Sequence, residues 1–225
     1  MNCNDSMINN SILKKRNDPG RNFQILAISN RHLCNQPFED QIKRVCEWHP
    51  DALVLREKDL PEDEYKALPK NILDICKAYD VPCILHTYWK AALELGHDAI
   101  HLPLPLLREL SAKSQNYLQS QNSTISQSFH VTDFHRIGTS VHSVEDAMEA
   151  ERLGATYVTA GHIFTTDCKK GLPPRGLDFL KNVCDAVTIP VYGIGGIKFD
   201  PHQWNNLKKQ GACGGCIMSG MMQLL

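Results

Sequence analysis

The sequence predicts a (β/α)8 barrel, also called a TIM barrel. Three observations support this fold: eight short apolar runs that resemble buried strands, helix-like segments between them, and glycine-rich turns after the last two runs. Strands that alternate with helices are typical of a parallel sheet covered by helices. A doubly wound open sheet is the alternative. The paired glycine turns favour the barrel, because the loops after its seventh and eighth strands commonly bind phosphate.

The strand candidates are near-continuous apolar runs, as expected for strands that are buried on both faces. They are Phe23–Ser29, Ala52–Arg56, Val81–His86, Ala99–Leu102, Arg136–Val141, Tyr157–Ala160, Pro190–Ile194 and Gly214–Met218. The glycine turns are Gly193–Gly196 and Ser219–Gly220. Glycine lets backbone N–H groups approach phosphate oxygens closely, and a following helix N-terminus adds favourable potential.

The clearest helix pattern spans Ser143–Gly154. Ser143 is a typical N-cap residue, acidic residues follow it in the first turn, and Gly154 ends the segment. We expect the inward stripe of this amphipathic helix to consist of Val144, Ala147, Met148 and Leu153.

The chain predicts one barrel domain over residues 22–225, preceded by a polar leader, Met1–Arg21, which we expect to be mobile. The Ser/Gln/Asn-rich segment Ser111–His130 predicts only a short helix. Only a few residues follow the eighth strand, so the last helix of the barrel is expected to be truncated or absent. We expect a second subunit of a homo-oligomer, or the leader, to cover the flank beside it.

Composition indicates a small-molecule partner in the cytoplasm. A formal net charge of -1 gives no electrostatic reason to expect nucleic acid or a membrane surface as a partner. An odd number of cysteines, nine, without an apolar signal segment, predicts reduced thiols. No apolar run approaches the roughly 18 residues of a membrane span.

Catalytic groups of such barrels lie at the carboxyl ends of strands, which selects several side chains. Arg56 and Lys58 share one face of an extended backbone and could hold an anion, while Glu57 points elsewhere. An ordinary solvated pair is the alternative. The rule also selects candidates after the third and fifth strands: His86, Ser140 and His142. A histidine placed like His142 is more often a hydrogen-bonded structural group.

The loop Gly161–Gly171 follows the sixth strand and carries several reactive groups. His162 could take and give a proton near neutral pH, which suits isomerisation, or could only hydrogen-bond within the loop. Lys169 or Lys170 could contact an anion, and Cys168 has no visible third group to support nucleophilic catalysis. Cys213–Cys216 matches C-x-x-C without a second pair, which argues against a metal or redox site.

From about Phe23 to the C-terminus, the sequence resembles the thiamine-phosphate synthase and TenI superfamily, and within it the TenI branch of thiazole tautomerases. The motifs that carry the resemblance are Leu55–Asp59, Ser140–Ser143, Glu145–Ala147, Gly161–Phe164, Thr166–Gly171, Arg175–Gly176, Gly193–Gly196 and Met218–Gly220.

The resemblance implies an enzyme of thiamine biosynthesis that binds a phosphorylated thiazole and needs no metal or organic cofactor. His162 would be the acid/base, and Ser140 and Thr166 would line the pocket. Arg56, Lys58 or Lys169 would offset the substrate carboxylate. The phosphate would be held by backbone amides of the turns, at Gly195, Gly196, Met218 and Ser219.

The synthase branch is the alternative, and four positions and one stretch argue against it. Synthases hold Mg²⁺ with acidic residues after the third and fourth strands, where this chain has His86, Thr87 and a carboxylate-free stretch, Pro103–Leu107. Synthases also usually carry Pro at the position of His162, and a Gln at that of Val54. A non-catalytic protein that keeps the phosphate pocket is a third possibility.

Overall fold

Eight parallel strands pair in sequence order and close into a barrel. The computed structural model describes residues 23–119, 133–166 and 169–225. The strands are β1 (Gln24–Ile28), β2 (Ala52–Leu55), β3 (Cys83–His86), β4 (Ala99–Pro103), β5 (Arg136–Val141), β6 (Tyr157–Gly161), β7 (Val191–Ile194) and β8 (Gly214–Ile217). The predicted (β/α)8 barrel is confirmed, and each observed strand lies within two residues of its predicted bounds.

Helices follow the strands and cover the outside of the barrel. They are α1 (Phe38–Trp48), α2 (Glu62–Ala78), α3 (Trp89–Glu94), α4 (Leu104–Gln119), α5 (Val144–Arg152), α6 (Gly176–Ala186), α7 (Pro201–Lys209) and α8 (Ser219–Met222), with a 3-10 turn at Arg31–Leu33. Within the described ranges, none of these helices is long and apolar enough to cross a membrane.

Alternation along the strands separates two apolar cores. Leu53 and Leu55 of β2 face outward and join the large core between barrel and helices, whereas Ala52 and Val54 face into the barrel. The same alternation directs position 56, the residue after β2, toward the barrel interior. Continuously apolar strands are therefore explained by burial on both faces.

The barrel interior contains aromatic rings as well as aliphatic side chains. Tyr157 of β6 and Tyr192 of β7 pack edge to face, with ring centroids 5.7 Å apart. Gly138 of β5 makes room for the Tyr157 ring, because a Cβ atom there would lie 2.0 Å from its Cζ. A tyrosine can thus cross the interior and bring its hydroxyl toward β4.

Helix α5 confirms its predicted cap but not its predicted stripe. The Ser143 hydroxyl accepts a hydrogen bond from the Asp146 N–H at 3.0 Å. Ala147 and Ala150 are buried, but Met148 is 55% exposed, so the prediction that Met148 faces inward is wrong. Small alanines contact the barrel here, and the next position along the helix points to solvent.

The last helix is truncated, as predicted: α8 has four residues, and its Met221 and Met222 are buried. The Gln41 side chain of α1 donates to the Met221 carbonyl at 2.9 Å. Trp48 packs against Phe199 with ring centroids 5.3 Å apart. These contacts fill part of the predicted flank from within the chain, while its coverage by another subunit stays a prediction.

Two predicted segments fall partly or wholly outside the described residues. The leader, Met1–Arg21, lies outside them. The segment Ser111–His130 begins inside α4, which continues to Gln119, and the helix is therefore longer than the short one predicted. Residues 120–132 lie outside the described part of the chain.

Candidate functional site

The carboxyl ends of the parallel strands form one rim, and the candidate side chains lie on it. We divide this rim into a cavity side, at the ends of β2 to β5, and a turn side, at the ends of β6 to β8. The cavity side contains Arg56, Lys58, His86, Ser140 and His142, and the turn side contains His162, Thr166, Lys169, Gly195, Gly196, Met218 and Ser219.

The buried Glu57 side chain holds the backbone between Arg56 and Lys58 from the side that faces away from the barrel mouth. It is 2% exposed and accepts hydrogen bonds from the Ser29 hydroxyl at 2.7 Å and from the Arg31 backbone N–H at 3.1 Å. The Ser29 oxygen in turn accepts from the Arg56 N–H at 2.8 Å. Glu57 therefore points away from the barrel mouth, as the extended-backbone prediction required.

Two buried histidines stack inside the barrel mouth. His86 of β3 and His101 of β4 lie with ring centroids 5.3 Å apart and an interplanar angle of 17°. Burial, helped by the nearby cations Arg56 and Lys58, lowers the pKa of His86 to about 2 and that of His101 to about 3. Both rings are therefore neutral at physiological pH.

A chain of hydrogen bonds crosses the interior from β6 to β5 through His101. Its Nδ1 lies 3.0 Å from the Tyr157 hydroxyl, and its Nε2 lies 3.0 Å from the Ser140 hydroxyl. The Ser140 oxygen is 2.9 Å from the Thr159 hydroxyl. His101 is thus bonded at both ring nitrogens, and the chain continues through Ser140 to Thr159.

The cavity side opens into a cavity of about 340 Å³. It is lined by Lys58, His86, His101, Leu102, Pro103, Leu104, Pro105, Arg108, Ser140, His142 and Asp146. Partial burial and the nearby Arg56 lower the pKa of Lys58. The structure thus brings together four of the predicted residues, Lys58, His86, Ser140 and His142. His162 is not among the residues that line this cavity.

His162 begins the turn side, directly after β6. Its side chain is 3% exposed, and its Nε2 has no hydrogen-bond partner among the described residues. The backbone is held by Arg175, whose N–H donates to the His162 carbonyl at 2.8 Å. A buried imidazole nitrogen without a partner is unusual, because such groups are normally hydrogen-bonded.

His142 connects the two sides of the rim. Its Nδ1 lies 3.4 Å from the Gly161 carbonyl, and its ring also lines the cavity. Partial burial lowers its pKa, helped by the nearby charges of Lys169 and Arg175 and opposed by the bond to Gly161. The predicted anion contact Lys169 therefore lies near His142.

The Gly195–Gly196 turn packs directly on the His162 loop. The Phe164 N–H donates to the Gly195 carbonyl at 2.9 Å, and both glycines have positive φ, 101° and 69°. A Cβ atom on Gly196 would lie 2.4 Å from the Thr165 carbonyl oxygen. The glycines are therefore required by close backbone packing as well as by backbone conformation.

The remaining candidates are the residues after β8 and the distal part of the His162 loop. Met218 is half-buried, and Ser219 is the exposed first residue of α8. The Lys169 N–H donates to the Thr166 carbonyl at 3.1 Å. Asp167 and Cys168 lie outside the described residues. In the described part of the chain, no group of His, Cys, Asp or Glu side chains is arranged to hold a metal ion.

Sequence reasoning did not select His101 or Tyr157. The signal for His101 was its inward position on β4, two residues before Pro103, within an otherwise apolar run. Tyr157 carried a weaker signal, because a tyrosine at the start of a strand is ordinarily a packing residue. Only the three-dimensional register shows that its hydroxyl reaches the next strand but one.

A closed parallel barrel with polar groups at the carboxyl ends of its strands has the architecture of (β/α)8 enzymes. Residues 25–221 match the model of the TMP-TENI family, described as thiamine monophosphate synthase. The chain therefore belongs to this family of thiamine biosynthesis, which confirms the superfamily predicted from the motifs.

Relatives and solved structures agree with this assignment. The thiamine-phosphate synthase of Clostridium acetobutylicum is 32% identical over 173 residues, which cover 75% of this chain and 72% of that protein. Thiamine-phosphate synthase 2 of Streptococcus pneumoniae is 26% identical and covers 89% of this chain and 88% of its own length. Thiamine phosphate pyrophosphorylase from Pyrococcus furiosus superimposes with a TM-score of 0.68 at 26% identity, covering 89% of this chain and 88% of that one.

Proposed function

We propose that the chain is a thiazole tautomerase of this family. Its substrate would be a carboxylated dihydrothiazole with an exocyclic double bond and a phosphorylated ethyl arm. The observation that carries the proposal is the buried Nε2 of His162, which has no partner among the described residues and lies beside the glycine turn after β7. A general acid/base needs a free nitrogen near the bound substrate.

The reaction moves one proton and needs no other reactant. The C2–H bond of the ring breaks, and Nε2 of His162 accepts the proton. The electron pair shifts through the ring to the exocyclic double bond, and His162 returns the proton to the exocyclic carbon, where a new C–H bond forms. The product is aromatic, which supplies the driving force. A positioned acid/base of this kind contributes about 10²–10⁴-fold to the rate.

The phosphate arm is assigned to the turn side. Backbone amides of Gly195, Gly196, Met218 and Ser219 are the proposed donors. A Cβ atom on Gly195 would lie 3.1 Å from the His162 Cα, so a phosphate at this turn would be near the acid/base. Thr166 and Lys169 follow on the same loop and are proposed as pocket groups. Arg56 and Lys58 approach from the opposite side of the rim.

The thiamine-phosphate synthase reaction is the second candidate, because the relatives described above carry that name. It requires Mg²⁺ to hold a diphosphate, and Mg²⁺ favours carboxylate oxygens. The last residue of β3 is His86, and Thr87 follows it; the His86 Nδ1 and the Thr87 hydroxyl lie 2.6 Å apart. These residues do not fit a magnesium site. The tautomerase is therefore better supported by the residues of this site.

Two parallel assays test the proposal. In the first, the protein receives the dihydrothiazole carboxylate phosphate, and formation of the aromatic thiazole is followed by proton NMR. In the second, it receives thiazole phosphate, pyrimidine diphosphate and Mg²⁺, and diphosphate release is measured. We expect turnover in the first assay alone. Diphosphate release would assign the synthase reaction, and binding without turnover in both assays would indicate a non-catalytic protein.

A further inference from the structure

The hydrogen-bond chain through His101 has a defined direction. Tyr157 is 2% exposed, and the hydroxyl of a buried tyrosine needs an acceptor for its proton. The acceptor within reach of this hydroxyl is Nδ1 of His101, at 3.0 Å. The neutral ring therefore carries its own proton on Nε2, and Nε2–H donates to the Ser140 oxygen.

With this direction of donation, the Ser140 hydroxyl can donate its own proton to a ligand in the cavity. Thr159 is 1% exposed, and its hydroxyl can satisfy its own proton by donating to Ser140, 2.9 Å away. The Ser140 oxygen then accepts from both His101 and Thr159, which uses its two lone pairs. Its own O–H has no remaining acceptor in the chain of bonds. Because Ser140 lines the cavity, this O–H is available to a ligand.

The charges around the cavity match a single carboxylate. Arg108 is bonded to Glu149 at 2.8 and 2.6 Å, and Asp146 accepts from the His142 N–H at 3.0 Å at the start of α5. Lys58 forms no ion pair with any residue that the structure describes. Lys58 is therefore the lining cation without an ion pair in the described residues, and the Asp146 carboxylate, whose bond to a neutral N–H leaves its negative charge in place, disfavours a ligand with several negative charges such as a diphosphate.

We propose that Ser140 and Lys58 form a carboxylate-binding subsite, in which Tyr157 and His101 are positioning residues that orient the Ser140 proton. This inference rests on the proposed function, since the carboxylate is that of the proposed substrate. It assigns the two ends of the substrate to opposite sides of the rim: carboxylate on the cavity side and phosphate on the turn side.

Calorimetric binding of the proposed product and of an analogue tests the subsite without turnover. The product is thiazole phosphate carboxylate, and the analogue is thiazole phosphate, which lacks the carboxylate. We expect the protein to prefer the carboxylated compound. Because a hydrogen bond to a charged group contributes about 1.5–3 kcal/mol, Ser140→Ala should reduce this preference about 10-fold or more. Lys58→Gln should reduce it as well, whereas the control Lys66→Gln, which removes an exposed partner of Glu94, should not.

The positioning role is tested by Tyr157→Phe with Tyr192→Phe as the matched control. Tyr192 points into the same interior, but its hydroxyl bonds Gln24 instead of His101. Nitrogen-15 NMR should show His101 in the Nε2–H form in the wild type and in the control. In Tyr157→Phe we expect a mixture of both ring tautomers and a smaller preference for the carboxylated compound.

Two outcomes would overturn the subsite: equal affinity of the wild type for both compounds, or a preference that survives Ser140→Ala and Lys58→Gln. An Nδ1–H form of His101 in the wild type would overturn the positioning role. Failure of the proposed function gives a different result, because it abolishes turnover of the dihydrothiazole while the carboxylate preference and its loss in the variants remain.

Discussion

The two sides of the rim are built in different ways. On the cavity side, side chains of β4, β5 and β6 reach into the interior and hydrogen-bond one another, and the Ser140 hydroxyl of this chain lines the cavity. On the turn side, backbone packs on backbone, and one imidazole nitrogen, Nε2 of His162, has no partner in the described residues. One side therefore offers oriented side-chain donors, and the other offers close backbone approach and the proposed acid/base. A substrate with two different anionic ends would use both.

The largest effect is expected on the turn side, from Gly196→Ala. The new methyl group would meet the Thr165 carbonyl oxygen at 2.4 Å, and alanine would be strained at a φ of 69°. We expect the free energy of unfolding to fall by about 3 kcal/mol or more, as measured by urea denaturation. Gly171→Ala is the control, since its φ is 85° but no atom of the described residues lies within 4 Å of its Cβ position. It should cost only about 1 kcal/mol. If both variants lose the same free energy of unfolding, the close contact with the Thr165 carbonyl oxygen does not stabilise the choice of glycine at position 196.

A smaller effect is expected behind the cavity side, from Glu57→Gln. Glu57 accepts the Ser29 hydroxyl, the Arg31 N–H and the Arg31 guanidinium, which is 3.2 Å away. An amide cannot accept all of these bonds, so the free energy of unfolding should fall by about 2 kcal/mol. Glu64→Gln, at an exposed position in the first turn of α2, should change it by less than about 0.5 kcal/mol. If both variants have the same free energy of unfolding, the buried carboxylate does not hold the Arg56 backbone in place.

The smallest effect is a pH dependence confined to the cavity side. Folding lowers the pKa of His86 and His101, so the unfolded chain binds protons that the folded chain does not, and stability is lost as the pH falls from about 6.5 toward 3. When the pH falls from 7.5 to 5.5, each histidine should lower the free energy of unfolding by about 1.4 kcal/mol. His101→Asn should therefore lose less stability over this range than the wild type. An identical pH profile for the variant would show that the ring is not held neutral.

The sequence contained much of the fold but only part of the site. Alternation along the extended backbone correctly predicted that Glu57 points away from the face of Arg56 and Lys58, because the direction of a side chain on a strand depends only on its position in the sequence. The capping role of Ser143 was local in the same way. Met148 was placed wrongly because small alanines, and not the largest apolar residue, contact the barrel at that turn.

The His101 chain depended on contacts that no local pattern encodes. Tyr157 and His101 are 56 positions apart in sequence, and their bond requires the space that Gly138 leaves for the ring. The orphaned Nε2 of His162 is likewise a property of packing. Sequence could name the residue type and its strand end, but not its burial or its lack of a partner.

The most direct test of the account is the effect of His162→Ala on two quantities measured in the same preparation: the rate of aromatic thiazole formation from the dihydrothiazole carboxylate phosphate, and the Kd for thiazole phosphate. We expect the rate to fall by about 10²–10⁴-fold, because the proposed proton carrier is lost. The Kd should change by only a few fold, because the proposed phosphate donors are backbone amides, which the substitution leaves in place. Turnover at the wild-type rate in His162→Ala would contradict the account.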